Sequence, residues 1–297
     1  EHPDRVRSLH RRFIEAGADI VLTNSFGGSR YRLKLHDAQD RVREINIAAA
    51  KNARAEADAA GRPVYVGGSI GPTGEIFEPI GSLSHADGVA AFAEQAAALK
   101  EGGVDVLWLE TMSSEEELRA AVEGAATAGL PIVTTMSFDT NGRTMMGITP
   151  QNFGALAASL PVQPVAIGAN CGVGASELVA TVLGITAARP DANVVAKGNC
   201  GIPQYVDGHI HYTGTPELMA DYVRLALDAG AKIIGGCCGT SPEHLAAMRR
   251  SLETYKKGER PAVSEIEKRL GPVSELAKGF DAAAAGAARR ERRRARE

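Results

Sequence analysis

The sequence predicts an α/β protein, a (β/α)8 TIM barrel without its first strand. Apolar, β-branched segments alternate with helical stretches along the chain, and this alternation is typical of parallel α/β folds. The strand candidates are nearly continuous apolar runs, as expected for parallel strands buried on both faces. Seven strands are predicted, at residues 19–23, 64–69, 105–110, 132–137, 165–170, 194–197 and 232–236. A doubly wound open sheet is the competing fold, but no Gly-x-Gly-x-x-Gly fingerprint follows a predicted strand.

Helices are predicted between these strands from apolar residues at helical spacing. The clearest are at residues 88–101, 114–128, 176–188 and 216–229. A hydroxyl residue next to Pro or Glu marks several helix starts, at residues 113–116, 215–217 and 240–243. The first predicted element is a helix at residues 4–16 with no strand before it, so we expect that this chain lacks a native N-terminal segment.

Composition excludes several classes of protein. The chain has 297 residues, of which 44% are hydrophobic, and its formal net charge is −3. This length and composition fit one large α/β domain as well as two small ones, and the near-neutral charge gives no electrostatic reason to expect a nucleic acid as partner. No apolar run approaches the roughly 20 residues that span a bilayer, and the first residues are not a signal peptide. Four cysteines are too few for a secreted disulfide scaffold, which favours a cytoplasmic location.

A change of composition predicts a boundary near residue 255. Residues 1–255 form the predicted barrel domain, and residues 256–297 are rich in Ala, Glu, Lys and Arg. We expect this extension to be a helix followed by a solvated, partly disordered tail. The alternative is an arm that packs on a second subunit, which would make the protein a homo-oligomer.

Three cysteines lie where predicted strands end. Cys237 and Cys238 follow the seventh strand, and Cys171 follows the fifth. Adjacent cysteines are poor disulfide partners, whereas three thiolates around zinc leave one coordination position open. The alternative is that each cysteine is a small buried hydrophobe, and this interpretation is preferred for Cys200. A thiol redox role is disfavoured because the Cys-x-x-Cys spacing is absent.

Polar residues at other strand ends are candidates for substrate binding, because ligands bind at the carboxyl ends of barrel strands. The polar residues at these ends include Ser25, Thr111, Ser137 and Asn199, and the selected candidates are Thr23, Asn24, Ser69, Glu110 and Asn170. Each could instead satisfy a turn, and Glu110 could pair with a lysine or cap the next helix. His209 and His211 form an x-His-x-His pair, which we interpret as part of a surface loop because two ligands make a weak metal site.

These residues resemble the zinc-dependent homocysteine S-methyltransferases, a family that includes betaine–homocysteine methyltransferase and the homocysteine-binding module of methionine synthase. The resemblance rests on two motifs, Gly-Ala-Asn-Cys (168–171) and Gly-Gly-Cys-Cys-Gly-Thr (235–240). Residues 16–26, 68–75 and 108–111 support it. The resemblance covers residues 1 to about 255. It implies that Cys171, Cys237 and Cys238 bind Zn2+ and that Glu110 binds the homocysteine ammonium as a catalytic-site residue. The family's first strand usually ends in an Asp-Gly segment, which has no counterpart here.

The resemblance and the chemistry of zinc thiolates together predict a methyltransferase. A substrate thiol bound to zinc stays deprotonated at neutral pH and attacks an electrophilic methyl group. The expected reaction joins homocysteine and a small onium donor, with betaine favoured, and gives methionine. The alternatives are S-methylmethionine or a corrinoid protein as donor, or a zinc-binding barrel without turnover. Neither nucleic acid nor membrane is an expected partner.

Overall fold

The computed structural model describes residues 2–201 and 203–279. The helices of this part are α1 (Pro3–Glu15), α2 (Arg30–Leu33), α3 (Val42–Asp58), α4 (His85–Glu101), α5 (Glu115–Ala126), α6 (Pro150–Ala158), α7 (Ala175–Ala188), α8 (Pro216–Asp228), α9 (Pro242–Glu253) and α10 (Val263–Leu270). The strands are β1 (Ile20–Leu22), β2 (Tyr65–Ile70), β3 (Val106–Met112), β4 (Ile132–Met136), β5 (Ala166–Cys171), β6 (Val194–Gly198), β7 (Pro203–Val206), β8 (His209–Tyr212) and β9 (Ala231–Gly236).

The predicted fold class is confirmed. The seven predicted strands correspond to β1 to β6 and β9, which follow one another in that order in a single sheet. The register is parallel for the β1–β2, β2–β3, β3–β4 and β6–β9 pairs. Helices alternate with the strands along the chain, so the fold is α/β and TIM-barrel-like. The predicted caps also form: Ser114 accepts from the amide of Glu117, and Thr215 accepts from that of Leu218.

The chain divides into two compact units. Unit 1 comprises the described residues up to Met136 together with Ala157–Ile167, and unit 2 comprises Ser137–Leu156 and the described residues from Gly168 onward. Unit 1 therefore carries β1 to β4, and unit 2 carries β6, β9 and most of β5. The cysteines lie in unit 2, whereas Thr23, Ser69 and Glu110 lie in unit 1.

The core of unit 1 is built from strand residues covered by helices. Leu107 and Leu109 of β3 are fully buried, as are Phe92 and Leu99 of α4. Gly67 of β2 is required by close packing, because a Cβ there would lie 2.6 Å from Cδ2 of Leu22. This packing fixes the carboxyl ends of β1, β2 and β3, where the candidate substrate residues lie.

In unit 2 a buried tyrosine ties a helix to two strands. Tyr222 of α8 is fully buried, and its hydroxyl accepts from the amide of Gly198 at 3.2 Å and donates to the carbonyl of Gly235 at 3.4 Å. Gly198 ends β6 and Gly235 lies near the end of β9. The hydroxyl therefore holds together the ends of the two strands next to the cysteines.

The segment that contains the two histidines is a β-hairpin, so its prediction as a loop was wrong. Strands β7 and β8 pair antiparallel, with Tyr205 opposite Ile210. Asp207 and Gly208 form the turn, and both have positive φ angles, 50° and 81°. An Asp-Gly turn of this kind matches the twist of a two-stranded hairpin, and the dipeptide was a signal in the sequence. His209 and His211 are exposed, as expected.

The described part of the C-terminal extension packs on unit 2. Arg260 donates to the carbonyls of Ala229 and Leu183, at 3.0 and 2.8 Å. The Ser274 hydroxyl donates to the buried carboxylate of Glu177. The predicted tail from residue 280 onward lies outside the described residues. None of the described helices has both the length and the apolar character needed to cross a bilayer.

Candidate metal centre and strand-end polar residues

Three cysteine sulfurs cluster in unit 2 at the carboxyl ends of β5 and β9. The Sγ atoms of Cys171 and Cys238 are 3.5 Å apart, and those of Cys171 and Cys237 are 3.6 Å apart. All three sulfurs lie within 4.8 Å of one another. Tetrahedral zinc with Zn–S bonds of about 2.3 Å separates its sulfur ligands by about 3.8 Å. The cluster therefore fits three ligands of a zinc ion, and the chemistry of the donors, all thiols, suits that metal.

The backbone at Cys171 is strained. Its φ angle is 60°, in the left-handed region that non-glycine residues rarely adopt. Thr111, directly after Glu110 in unit 1, has a φ of 66°. Residues held in this region cost about 1–3 kcal/mol and cluster at functional sites. Both outliers lie at the ends of strands that carry candidate functional side chains.

Asn199 joins the two loops that carry the cysteines. Its Nδ2 donates to the carbonyl of Gly172 at 2.8 Å, and its Oδ1 accepts from the amide of Cys238 at 3.1 Å. The backbone adds a hydrogen bond from the amide of Cys237 to the carbonyl of Gly198 at 2.7 Å. Asn199 is buried at the end of β6, the strand between β5 and β9 in the sheet. Asn199 was among the polar residues at predicted strand ends, but no role was predicted for it.

Contact between the thiols shifts their pKa values in opposite directions. Hydrogen bonding with Cys171 lowers the pKa of the Cys237 thiol, and the same contact raises the pKa of Cys171. The cluster without metal therefore holds one thiolate far more readily than three. A divalent cation would remove this restriction, because its charge offsets the repulsion among neighbouring thiolates.

Cys200 lies outside the cluster, as the sequence analysis expected. It is fully buried, and its Sγ donates to the carbonyl of Gly214 at 3.3 Å. Burial raises the pKa of its thiol. Cys200 is therefore a packed, protonated side chain and provides a natural control for experiments on the other three.

In unit 1 a chain of short hydrogen bonds joins four polar side chains at the ends of β1, β2 and β3. The Ser69 hydroxyl donates to Oε1 of Glu110 at 2.5 Å, and the amide of Ser69 donates to the Thr23 hydroxyl at 2.9 Å. Thr23 and Ser25 share a hydrogen bond of 2.6 Å, and the Ser25 hydroxyl donates to the carbonyl of Ser69. Glu110 is only 6% exposed. A buried carboxylate in this setting is a candidate for binding a cationic group.

The predicted substrate residues divide between the two units. Thr23, Ser69 and Glu110 belong to the hydrogen-bonded chain in unit 1. Asn24 is exposed, and Asn170 is fully buried within β5 in the other unit. Ser25, a polar residue at a strand end that was not selected as a substrate residue, also belongs to this hydrogen-bonded chain.

Two buried amides support the loop after β1, and sequence reasoning missed both. Gln95 of α4 donates from Nε2 to the carbonyl of Ser25 at 2.8 Å and to Oδ1 of Asn46 at 3.1 Å. Asn46 of α3 donates to the carbonyl of Gly28 at 2.9 Å. Both residues lie in the middle of helices, where a polar residue is usually solvated, so spacing alone gave no signal of their burial.

A buried glutamate supports the loop after β2 in the same way. Oε1 of Glu117 accepts from the amide and the hydroxyl of Thr73, at 2.8 and 2.7 Å. Burial raises the pKa of Glu117, while the hydrogen bonds from Thr73 act against that rise. The loops after β1 and β2 are therefore held by polar side chains from the helices beneath them.

The fold and the three-thiol cluster together indicate a class: α/β proteins with a cluster of cysteines that could hold a metal ion at the carboxyl ends of their strands. Residues 1–252 match the family model of homocysteine S-methyltransferases. The chain belongs to this family, whose members are methyltransferase enzymes.

Individual relatives agree with this assignment. The chain is 31% identical over 280 residues to the methionine synthase of Mycobacterium tuberculosis (strain ATCC 25618 / H37Rv), covering 89% of this chain and 23% of that protein. It is also 31% identical over 285 residues to the methionine synthase of Mycobacterium leprae (strain TN), with the same coverage. The chain thus spans about a quarter of the length of these curated relatives.

Among solved structures, the chain resembles the homocysteine methyltransferase MmuM from Escherichia coli. The metallated and the oxidized forms of that protein both give a TM-score of 0.67 at 24% identity, over 84% of this chain and 85% of that one. The likeness supports the TIM-barrel-like fold assigned above.

Proposed function

We propose that this chain catalyses zinc-dependent transfer of a methyl group from a small onium donor to the thiol of homocysteine, giving methionine. The observation that carries the proposal is the cluster of three cysteine sulfurs within 4.8 Å of one another, in a chain of the homocysteine S-methyltransferase family. The proposal extends to the roles of individual residues, to the metal and to the donor.

Cys171, Cys237 and Cys238 are the proposed zinc ligands. Bound there, zinc would supply an open coordination position in which a substrate thiol is held as thiolate at neutral pH. The chain's own contribution is to hold the three sulfurs in place. Asn199 does this by hydrogen bonds to the loops on both sides.

Glu110 is the proposed binding residue for the homocysteine ammonium. The hydroxyl of Ser69 engages Oε1 and so fixes the orientation of the carboxylate. Thr23 in turn fixes the backbone of Ser69. An ammonium bound by a buried, oriented carboxylate gains a charge-assisted hydrogen bond. Asn24 and Asn170, which were selected as polar residues at strand ends, are proposed to contribute to substrate binding as well.

The proposed donor is a small onium compound, with glycine betaine as the first choice. The sulfur lone pair of homocysteine forms the new S–C bond, and the methyl–nitrogen bond breaks with its electrons passing to nitrogen. Nitrogen leaves as a neutral amine, so charge balances without a further reactant. Phe26, in the loop after β1, is 40% exposed, and an aromatic ring attracts an onium cation.

The test is a methionine-formation assay on the full chain with zinc, homocysteine and one donor at a time. Betaine, S-methylmethionine and methylcobalamin are compared, and we expect methionine with betaine. Cys238→Ser should abolish turnover, whereas Cys200→Ser, which alters a cysteine outside the cluster, should retain it. Zinc binding without methionine from any donor would favour a non-catalytic zinc-binding barrel instead.

A cytoplasmic location and a homo-oligomer formed through the C-terminal extension complete the proposal. All four cysteines are free thiols, which fits a reducing compartment. Light scattering of the full chain and of a chain ending at residue 279 tests the oligomer.

A further inference from the structure

One arginine of unit 1 lies against the two loops that follow β1 and β2. Arg32, in α2, has its Cβ 3.8 Å from the position that a Cβ would take at Gly27. Its guanidinium Nη1 is 2.9 Å from the corresponding position at Gly74, and its Cδ is 3.4 Å from it. Gly27 follows the end of β1 and Gly74 follows the end of β2. A side chain at Gly74 would displace the guanidinium, so the missing Cβ makes room for it.

The guanidinium of Arg32 has no hydrogen-bond or ion-pair partner among the described residues, although the side chain is partly buried. Two other arginines of this region, by contrast, have carboxylate partners. Arg30 makes a two-pronged pair with Glu94 at 2.8 and 2.9 Å, and Arg41 pairs with Glu44 in the same way. A partly buried cation without a counter-ion loses hydration without recovering it from the protein.

The position of Arg32 is where ligands bind in this fold class. Loops at the carboxyl ends of parallel strands form the ligand sites of α/β barrels. The loop after β1 also carries Thr23 and Ser25, and the loop after β2 begins at Gly71, two residues beyond Ser69. Each loop is hydrogen-bonded to a buried helix side chain: the loop after β1 to Gln95, and the loop after β2 to Glu117.

We propose that Arg32 binds the carboxylate of a small ligand at these loops. A guanidinium presents two parallel N–H donors that match the two oxygens of a carboxylate. The inference rests on the proposed function for the identity of the ligand, because homocysteine and glycine betaine both carry a carboxylate. The shared chemistry is the carboxylate, and the experiment below distinguishes the two sources.

The test measures binding by calorimetry with the zinc-loaded full chain. Each ligand is paired with an analogue that lacks the carboxylate: L-homocysteine with 3-mercaptopropylamine, and glycine betaine with tetramethylammonium. Arg32→Gln should weaken binding of one carboxylate ligand by about tenfold to a hundredfold, the range for a charged hydrogen-bonded pair. Binding of the analogue that lacks the carboxylate should be unchanged, and the affected pair identifies the source.

Lys34→Gln is the matched control, because it removes an exposed positive charge two residues away. We expect it to leave all four affinities unchanged. Arg32→Lys keeps the charge and the aliphatic stem without the planar fork, so it should give an intermediate loss. If Arg32→Gln does not fold, Arg32→Lys still allows each carboxylate ligand to be compared with its analogue.

Three results would overturn the inference: unchanged affinities in both Arg32 variants, equal weakening of a ligand and its analogue, or no binding of either carboxylate by the wild type. None of the measurements depends on turnover. Normal carboxylate binding through Arg32 without methionine formation would refute the proposed function and leave this inference standing. Methionine formation together with unchanged carboxylate affinities in the Arg32 variants would support the proposed function and refute this inference.

Discussion

Glu110 is the residue on which recognition of the amino-acid substrate depends in this account. Its carboxylate is buried and accepts a 2.5 Å hydrogen bond from Ser69, so it is held in one orientation. Glu110→Gln keeps an oxygen for Ser69 but removes the charge. We expect KM for homocysteine to rise by about tenfold or more, because a charge-assisted hydrogen bond becomes a neutral one.

The zinc content of Glu110→Gln should equal that of the wild type, because the carboxylate is not a proposed ligand. Ser69→Ala is the companion variant, with a smaller rise in KM since it loosens the carboxylate without removing it. An unchanged KM in Glu110→Gln would show that the ammonium is bound elsewhere.

Asn199 is the second residue with a sharp expectation, because one amide holds two cysteine-bearing loops. Asn199→Ala removes the hydrogen bonds to Gly172 and to Cys238. Outer-shell partners of metal ligands typically contribute about 10–100-fold to metal affinity, so zinc affinity should fall by that factor. A competitive chelator titration measures it, and Asn152→Ala, an exposed asparagine in α6, is the control. Wild-type affinity in Asn199→Ala would contradict this role.

At the scale of elements, α1 contacts α3 through ion pairs between two arginines and a buried glutamate. Arg7 and Arg11 of α1 both bind the carboxylate of Glu56, at 2.7 and 2.8 Å. His10 of the same helix is buried, and its Nε2 has no hydrogen-bond partner among the described residues. Burial lowers the pKa of His10, and the nearby Glu56 only partly offsets this.

This lowered pKa predicts a dependence of stability on pH. The unfolded chain takes up a proton at His10 below about pH 6.5, whereas the folded chain resists it. The free energy of unfolding should therefore fall as the pH drops from 6.5 towards the folded pKa of His10. His10→Phe removes this proton-binding group and should flatten the decline, measured by urea unfolding at about pH 7.5 and about pH 5.5.

His36→Phe is the control for that comparison, since His36 is exposed. It should leave the decline as in the wild type. If the free energy of unfolding of His10→Phe falls with decreasing pH as much as that of the wild type, another group is responsible for the decline.

The elements also show where sequence patterns were sufficient. Strands rich in β-branched residues, such as β4 (Ile132–Met136), were predicted because local pattern and burial agree there. The hairpin of β7 and β8 was missed because its strands are four residues each and exposed, so they lack an apolar pattern. The Asp207-Gly208 turn was the only local signal, and it acts through backbone angles rather than hydrophobicity.

For the whole molecule, the sequence predicted the fold class and the cysteines that cluster, because strand ends are recognisable from the chain alone. The hydrogen bonds that support the strand-end loops could not be predicted from the sequence. Asn199, Gln95 and Glu117 act across 39, 70 and 44 residues of sequence. No local pattern encodes such distances, and only the packed fold brings the partners together.

The central claim is that Cys171, Cys237 and Cys238 form one zinc site, and a zinc titration of purified protein tests it most directly. A chromophoric chelator competes for the metal with the wild type and with Ser variants of each of the four cysteines. We predict one zinc per wild-type chain, a loss of about a hundredfold or more in affinity for each cluster variant, and no change in Cys200→Ser. A wild type that binds no zinc, or a cluster variant that keeps the wild-type affinity, would contradict the account.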